Sequence, residues 1–202
     1  MKLLRYIFFI FLILIMTGCA LSVKRAPGSV PKPAVKTLGR VEFTVPFVRQ
    51  GADREDQFAL WLENPETGSH FKTLTVTAYT ATTGFKTNPG ILPVWEQRSG
   101  IAGMTGAQQK DVNAMLVATP ETGILTYIWY GDNDAGTEAM PAGIYHYFLE
   151  STVKKQDHVI YHGVITLGKQ PNKSEGIKEA VTGVQNKLVS GIQAEFKPDT
   201  QK

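Results

Sequence analysis

From Leu38 onward the chain alternates apolar and polar residues with a period of two. Val41, Phe43 and Val45 alternate with Glu42 and Thr44. Phe58, Leu60 and Leu62 alternate with Ala59, Trp61 and Glu63, and Leu74, Val76 and Ala78 with Thr75, Thr77 and Tyr79. That period puts one set of side chains on one face, so each run predicts a strand along one face of a core. Asn64-Pro65-Glu66-Thr67-Gly68, between the second and third runs, has turn chemistry. Residues 91–99 (ILPVWEQRS) break the alternation and predict either a short helix or an irregular crossover. Strand character resumes around Ile124, Tyr127 and Trp129, stops at the loop residues 131–136 (GDNDAG), and returns over 143–151 and 157–167. In the tail, Ile177, Val181, Val184 and Leu188 have helical spacing, which Gly183 and Gly191 oppose; a last strand near 188–196 is the favoured reading. About seven strands with little helix predict an all-β antiparallel sandwich, with a small barrel as the competitor.

The N-terminus carries a different signal. Lys2 and Arg5 precede an apolar run of 11 residues, Tyr6 to Met16, followed by Thr17, Gly18 and Cys19. A positive start, a short apolar core and small residues at a cut describe an export signal. A spanning helix needs about 20 apolar residues, so this run is too short for an ordinary transmembrane anchor. Met16-Thr17-Gly18-Cys19 resembles the lipobox of bacterial lipoproteins, with Met16 where Leu is usual. The resemblance implies cleavage before Cys19 and a diacylglyceryl thioether on its sulfur, and two or more acyl chains make such an anchor stable. Ala20 fits the outer-membrane pattern of that class, facing the periplasm, because it is not the Asp that retains lipoproteins at the inner membrane. Residues 20–37, with Pro27, Pro31 and Pro33, offer few apolar groups to bury and read as an extended tether. The expected organisation is therefore a signal peptide over 1–18, a tether over 19–37, a sandwich over 38–197 and a tail over 198–202.

Composition narrows the choices. Cys19 is the only cysteine, so a lipidated chain has no disulfide and no cysteine-metal site. Net charge is +3 and falls to about +1 without Lys2 and Arg5, which gives no reason to invoke nucleic acid.

Two segments carry a wider resemblance. Within 127–149 (YIWYGDNDAGTEAMPAGIYHYFL), Trp129, Gly131, Asp132, Asp134, Gly136, Pro141, Gly143 and Tyr145 follow the order of the hairpin in Ig-like domains of flagellar hook-capping proteins. More broadly, the succession of 58–63 (FALWLE), Trp95, 101–107, this hairpin, Glu150 and 164–168 resembles the periplasmic family known as domain of unknown function 2271, over about residues 40 to 196. That resemblance implies an Ig-like sandwich in the cell envelope, beside membrane proteins of iron uptake and flavin-dependent electron transfer, with no established enzymatic activity.

Candidate chemistry is sparse. Residues 102–108 (AGMTGAQ) resemble the motif of flavin transferase targets, Asp-Gly-x-Ser/Thr-Gly-Ala-Thr, whose last Thr hydroxyl becomes a phosphoester of FMN. Gly103, Thr105, Gly106 and Ala107 match, but the leading Asp is Ala102 and the acceptor Thr is Gln108, and an amide cannot replace a hydroxyl nucleophile. Asp132-Asn133-Asp134 looks like the start of a calcium loop, yet the sixth position is Thr137 and the twelfth Gly143 where an EF-hand needs Gly and Glu. A hairpin loop is the better reading. His158 and His162 share a strand face but stand about 13 Å apart at 3.3 Å per residue. His146 and His162 can approach across a hairpin, without an evident third ligand, so no metal is expected. No Gly-x-Ser-x-Gly, P-loop or His-Glu-x-x-His occurs, and Glu63 and Glu150 are expected at strand ends or turns, facing solvent. The sequence thus predicts a non-catalytic, membrane-anchored binding or accessory module with an envelope protein as partner and no cofactor. A flavin or metal carrier is the alternative, and an envelope hydrolase a third reading for which the sequence offers no site.

Overall fold

The computed structural model describes residues 35–105, 116–155, 157–182 and 186–199. Among them, strands β1 (Gly39–Phe47), β2 (Asp56–Glu63), β3 (His70–Thr77), β4 (Leu116–Val117), β5 (Gly123–Trp129), β6 (Gly143–Val153), β7 (Asp157–Leu167), β8 (Asn172–Glu175), β9 (Ile177–Thr182) and β10 (Gln193–Pro198) form two sheets. One sheet has the order β5-β1-β10-β8, the other β4-β3-β2-β6-β7-β9. All pairings are antiparallel except β3 with β4. The chain is therefore an antiparallel β-sandwich, as the period of two predicts. β4, β8 and β9, two to six residues each, are short or polar and carry little alternation, which is why they add to the strands legible in sequence.

The main core lies between the sheets. Val41, Phe43, Val45 and Phe47 face Phe58, Leu60, Leu62, Tyr147, Leu149 and Ile165, with Trp129 and Phe196 fully buried. Edge-on contacts between Phe43 and Tyr147 and between Trp129 and Tyr145 fill its centre and one end. Close packing makes two glycines necessary. A Cβ on Gly163 would stand 2.2 Å from the Tyr147 ring, and one on Gly176 would stand 2.4 Å from Ile192. Gly176 is also where the chain leaves β8 in the four-stranded sheet and enters β9 in the six-stranded one.

The segment 127–149 departs from the expected hairpin. β5 belongs to the four-stranded sheet and β6 to the six-stranded one, so residues 130–142 arch across the end of the sandwich. Both flanking strands face the same core from opposite sides, and a tight hairpin would keep them in one sheet. The arch is stapled from β3. The Lys72 ammonium is buried and lies 3.1 Å from Asp132 Oδ2, donating also to the carbonyls of Asn133 (2.6 Å) and Asp134 (3.5 Å). Trp129 Nε1 donates to the Asp132 carbonyl at 2.8 Å. Lys72 faces inward as the ladder partner of Leu62, after one register shift between Leu60 and Trp61, and the register shifts again between Leu62 and Glu63, opposite His70. The extra residue, Phe71, packs against Trp129 and Tyr145.

Removing one partner of a buried pair strands the other charge. Asp132→Ala should lower unfolding free energy by about 3–5 kcal/mol in urea denaturation, whereas Lys72→Met with Asp132→Leu together should cost much less.

Candidate functional site

The second face of the six-stranded sheet is not solvated. All eight residues of β2 are buried, and a second apolar cluster forms outside the sandwich from Ala59, Trp61, Val76, Ala81, Phe85, Leu92, Trp95 and Ile101. Residues 78–105 cross over this face as a π-helical turn (Thr80–Gly84), α1 (Phe85–Thr87), α2 (Pro93–Ser99) and a 3₁₀ turn (Ile101–Gly103). The break at 91–99 is thus a short helix. Pro93 opens it and Gly100, with φ of 67°, closes it in the left-handed conformation.

Two carboxylates fix this layer. Glu96 accepts from the backbone N–H groups of Gly90 (2.7 Å), Ile91 (3.0 Å) and Leu92 (3.2 Å). Glu150, on β6, accepts from Val94 N (3.2 Å) and Trp95 N (2.8 Å), and His158 Nδ1 lies 3.4 Å from its Oε1. Glu150 is 0 % exposed and Glu63 3 %, which corrects the solvent-facing expectation for both. A carboxylate is stable there because donors satisfy it: the start of α2 for Glu150, and Trp61 Nε1 at 2.8 Å for Glu63.

Beyond the edge of the layer the same face carries a band of rings. Phe148 stacks on Trp61 (centroids 5.3 Å, 12°) and on His162 (4.7 Å, 23°), and His146 lies 5.1 Å from His162. Glu63 sits between His70 and His146 in the ladder, with Arg98 Nη1 3.6 Å from its Oε2. His70 Nε2 is hydrogen-bonded to Thr73 Oγ1 at 2.8 Å, and the Trp95 indole donates to the same hydroxyl at 3.1 Å. A cleft of about 480 Å³ adjoins the band, lined by Asn64, Pro65, Glu66 and residues 141–146.

Burial holds the His70 imidazole well below its usual range, at about 4. Burial also lowers His146, helped by the neighbouring His162 and opposed by Glu63. Among the described residues no three His, Cys, Asp or Glu side chains are placed to hold a metal ion. His146 and His162 do meet across the β6–β7 hairpin, His158 is separated from them, and the Asp132 carboxylate is taken by Lys72. Of the flavin-like motif, Gly103 and Thr105 lie at the exposed end of the covering layer. Gly106, Ala107 and Gln108 fall outside the described residues, as does Cys19. Sequence reading missed the roles of Glu96 and Glu150. The one local signal was Pro93 opening a short helix, whose free N–H groups need acceptors.

The fold and this face define a two-layered β-sandwich with one sheet overlaid by its own crossover. The model of the family described as predicted periplasmic protein, domain of unknown function 2271, matches residues 39–183, and the chain belongs to that family. No curated protein and no solved structure matches the chain, and the likeness of 127–149 to hook-capping domains stays a resemblance of sequence. Among the described residues no helix is long and apolar enough to cross a membrane. Family and structure together fit a place in the cell envelope.

A histidine whose pKa is lower folded than unfolded binds its proton more readily in the unfolded chain, so stability falls as pH drops. For His70 the loss begins near its ordinary 6.5 and is complete below about 4. His70→Gln should therefore show a flatter fall in urea midpoint between pH 7 and pH 4 than the parent chain, the difference amounting to roughly 2–3 kcal/mol. Parallel curves for the two chains would contradict this assignment.

Proposed function

We propose that the protein is a lipid-anchored accessory module that presents the uncovered part of its six-stranded sheet to an envelope partner and performs no catalysis. The observation that carries this reading is the contrast between the two outer faces. On the four-stranded sheet, Arg40, Glu42, Lys197, Glu195 and Lys173 form a ladder of ion pairs, a surface well matched to water. On the other, Ile144 is 53 % exposed, Val164 43 % and Ile177 74 %, beside the half-buried His146 and His162. Grouped apolar side chains open to solvent are characteristic of contact surfaces.

The anchor rests on Met16-Thr17-Gly18-Cys19, and Ala20 favours the outer membrane. The partner we infer is a membrane-associated protein, and systems of flavin-dependent electron transfer or iron uptake are the first in which to seek it. A carrier of flavin or metal is disfavoured by Gln108 at the acceptor position and by histidines that, among the described residues, meet no third ligand.

Cys19→Ser should abolish labelling by radioactive palmitate and release the protein from membranes; retained label would remove the anchor from the reading. A photo-crosslinking residue at Ile144 should capture a reproducible membrane protein in intact cells, whereas the same residue at Lys173, on the ion-paired face, should not. Equal capture at both positions would count against the proposed face.

A further inference from the structure

Among the described residues the two sheets have four edges: β5 and β8 in one, β4 and β9 in the other. An open edge presents unpaired N–H and C=O groups and invites another strand, so edges are commonly shortened or charged. Three of the four are treated that way. β4 has two residues. β8 has four and carries Lys173 and Glu175, and β9 carries Lys178 and Glu179. β5 is the exception. Its seven residues (GILTYIW) pair with β1 along one side and, among the described residues, with no strand along the other. No residue from Thr122 to Tyr130 is charged, and none of them is a proline. Leu125, Tyr127 and Trp129 are packed in the core, so the strand cannot turn its edge away.

The outward residues of β5 are Ile124, Thr126 and Ile128, each half-buried. Read in either direction the order is the same, Ile-x-Thr-x-Ile. An antiparallel strand of the same sequence, centred on Thr126, would set Ile124 against Ile128 of the second copy, Thr126 against its counterpart, and Ile128 against Ile124. β-branched pairs and Thr–Thr pairs are favourable cross-strand neighbours. On the inner face Leu125 would oppose Tyr127. Such an arrangement is isologous, each copy giving and receiving the same contacts, and closes on itself as a two-fold dimer.

We propose that β5 is a homodimerisation edge: two copies pair β5 to β5, antiparallel about Thr126, joining their four-stranded sheets into one continuous sheet. This goes beyond the proposed partner-binding role and uses a different surface, since Ile144 and His146 lie on the other sheet. The two can therefore fail separately.

The test uses the full chain, with its own leader, in an oxidising envelope. Directly opposed residues in an antiparallel pair have Cβ atoms about 4.5–5.5 Å apart, close to the 3.5–4.5 Å of a disulfide. Thr126→Cys should therefore convert most of the chain, under mild copper–phenanthroline oxidation, to a species of twice its mass on a non-reducing gel. The parent chain controls for Cys19. Ile124→Cys alone should not cross-link, because position 124 would lie about 13 Å from its own counterpart at 3.3 Å per residue. Co-expression of Ile124→Cys with Ile128→Cys should restore the dimer. Absence of the dimer with Thr126→Cys, an equal yield with Ile124→Cys, or a cross-link to a protein of another mass would each overturn the proposal.

Discussion

The architecture follows from the need to cover β2 twice. Its inward residues Phe58, Leu60 and Leu62 are met by the opposing sheet, and its outward residues include Ala59 and Trp61. An indole facing water along the middle of a sheet forfeits a large share of its burial energy, on the order of 25 cal/mol for each Å² left exposed. The crossover 78–105 removes that exposure with Trp95, Leu92, Phe85 and Ile101. A layer of short helical turns has little hydrogen bonding of its own, so its backbone donors are satisfied from the sheet side by Glu150 and from within by Glu96. The buried acids are thus a consequence of the second apolar cluster, not an independent feature.

Much of the sandwich was legible in sequence because a half-buried strand writes its burial as alternation. β1 reads that way without ambiguity: Val41, Phe43, Val45 and Phe47 are in, and Glu42 and Thr44 are out. β2 misleads, since Trp61 and Glu63 occupy the positions where polar residues are expected and look solvent-facing. Whether such a face is wet depends on what crosses it, and that contact spans more than 30 residues of chain. The same limit hid Glu150, whose acceptor role exists only once Val94 and Trp95 are laid over β6. The arch at 130–142 was misread as a hairpin because Gly-Asp-Asn-Asp-Ala-Gly suits either turn; the deciding residue, Lys72, lies on another strand. Of the candidate site, the approach of His146 to His162 was visible, while the stacking of Phe148 on both His162 and Trp61 was not.

The two outer surfaces differ because only one is required to hold an overlay. The ion-pair ladder on β1, β10 and β8 places opposite charges on neighbouring strands, Glu42 with Lys197 and Lys173 with Glu195. Exposed pairs of this kind contribute little stability, yet they keep that face from acquiring apolar neighbours. Among the described residues the overlay on the other sheet packs on β2 and β3, and rings and branched side chains stand at its margin. A sheet that is apolar on both sides takes its second cover, over β2 and β3, from its own chain.

The pairing of β1 with β10 has a consequence in time. Gly39 lies opposite Pro198 and Val41 opposite Phe196, so the first strand of the domain finds one neighbour only in the last. A chain threaded through a membrane from its N-terminus cannot complete the four-stranded sheet until residues near 198 have emerged. Contacts of such sequence separation are slow to form, because the loop entropy is lost before the contacts compensate it. The topology therefore keeps the chain unfinished until its last strand is present, and commits it to the folded state only then.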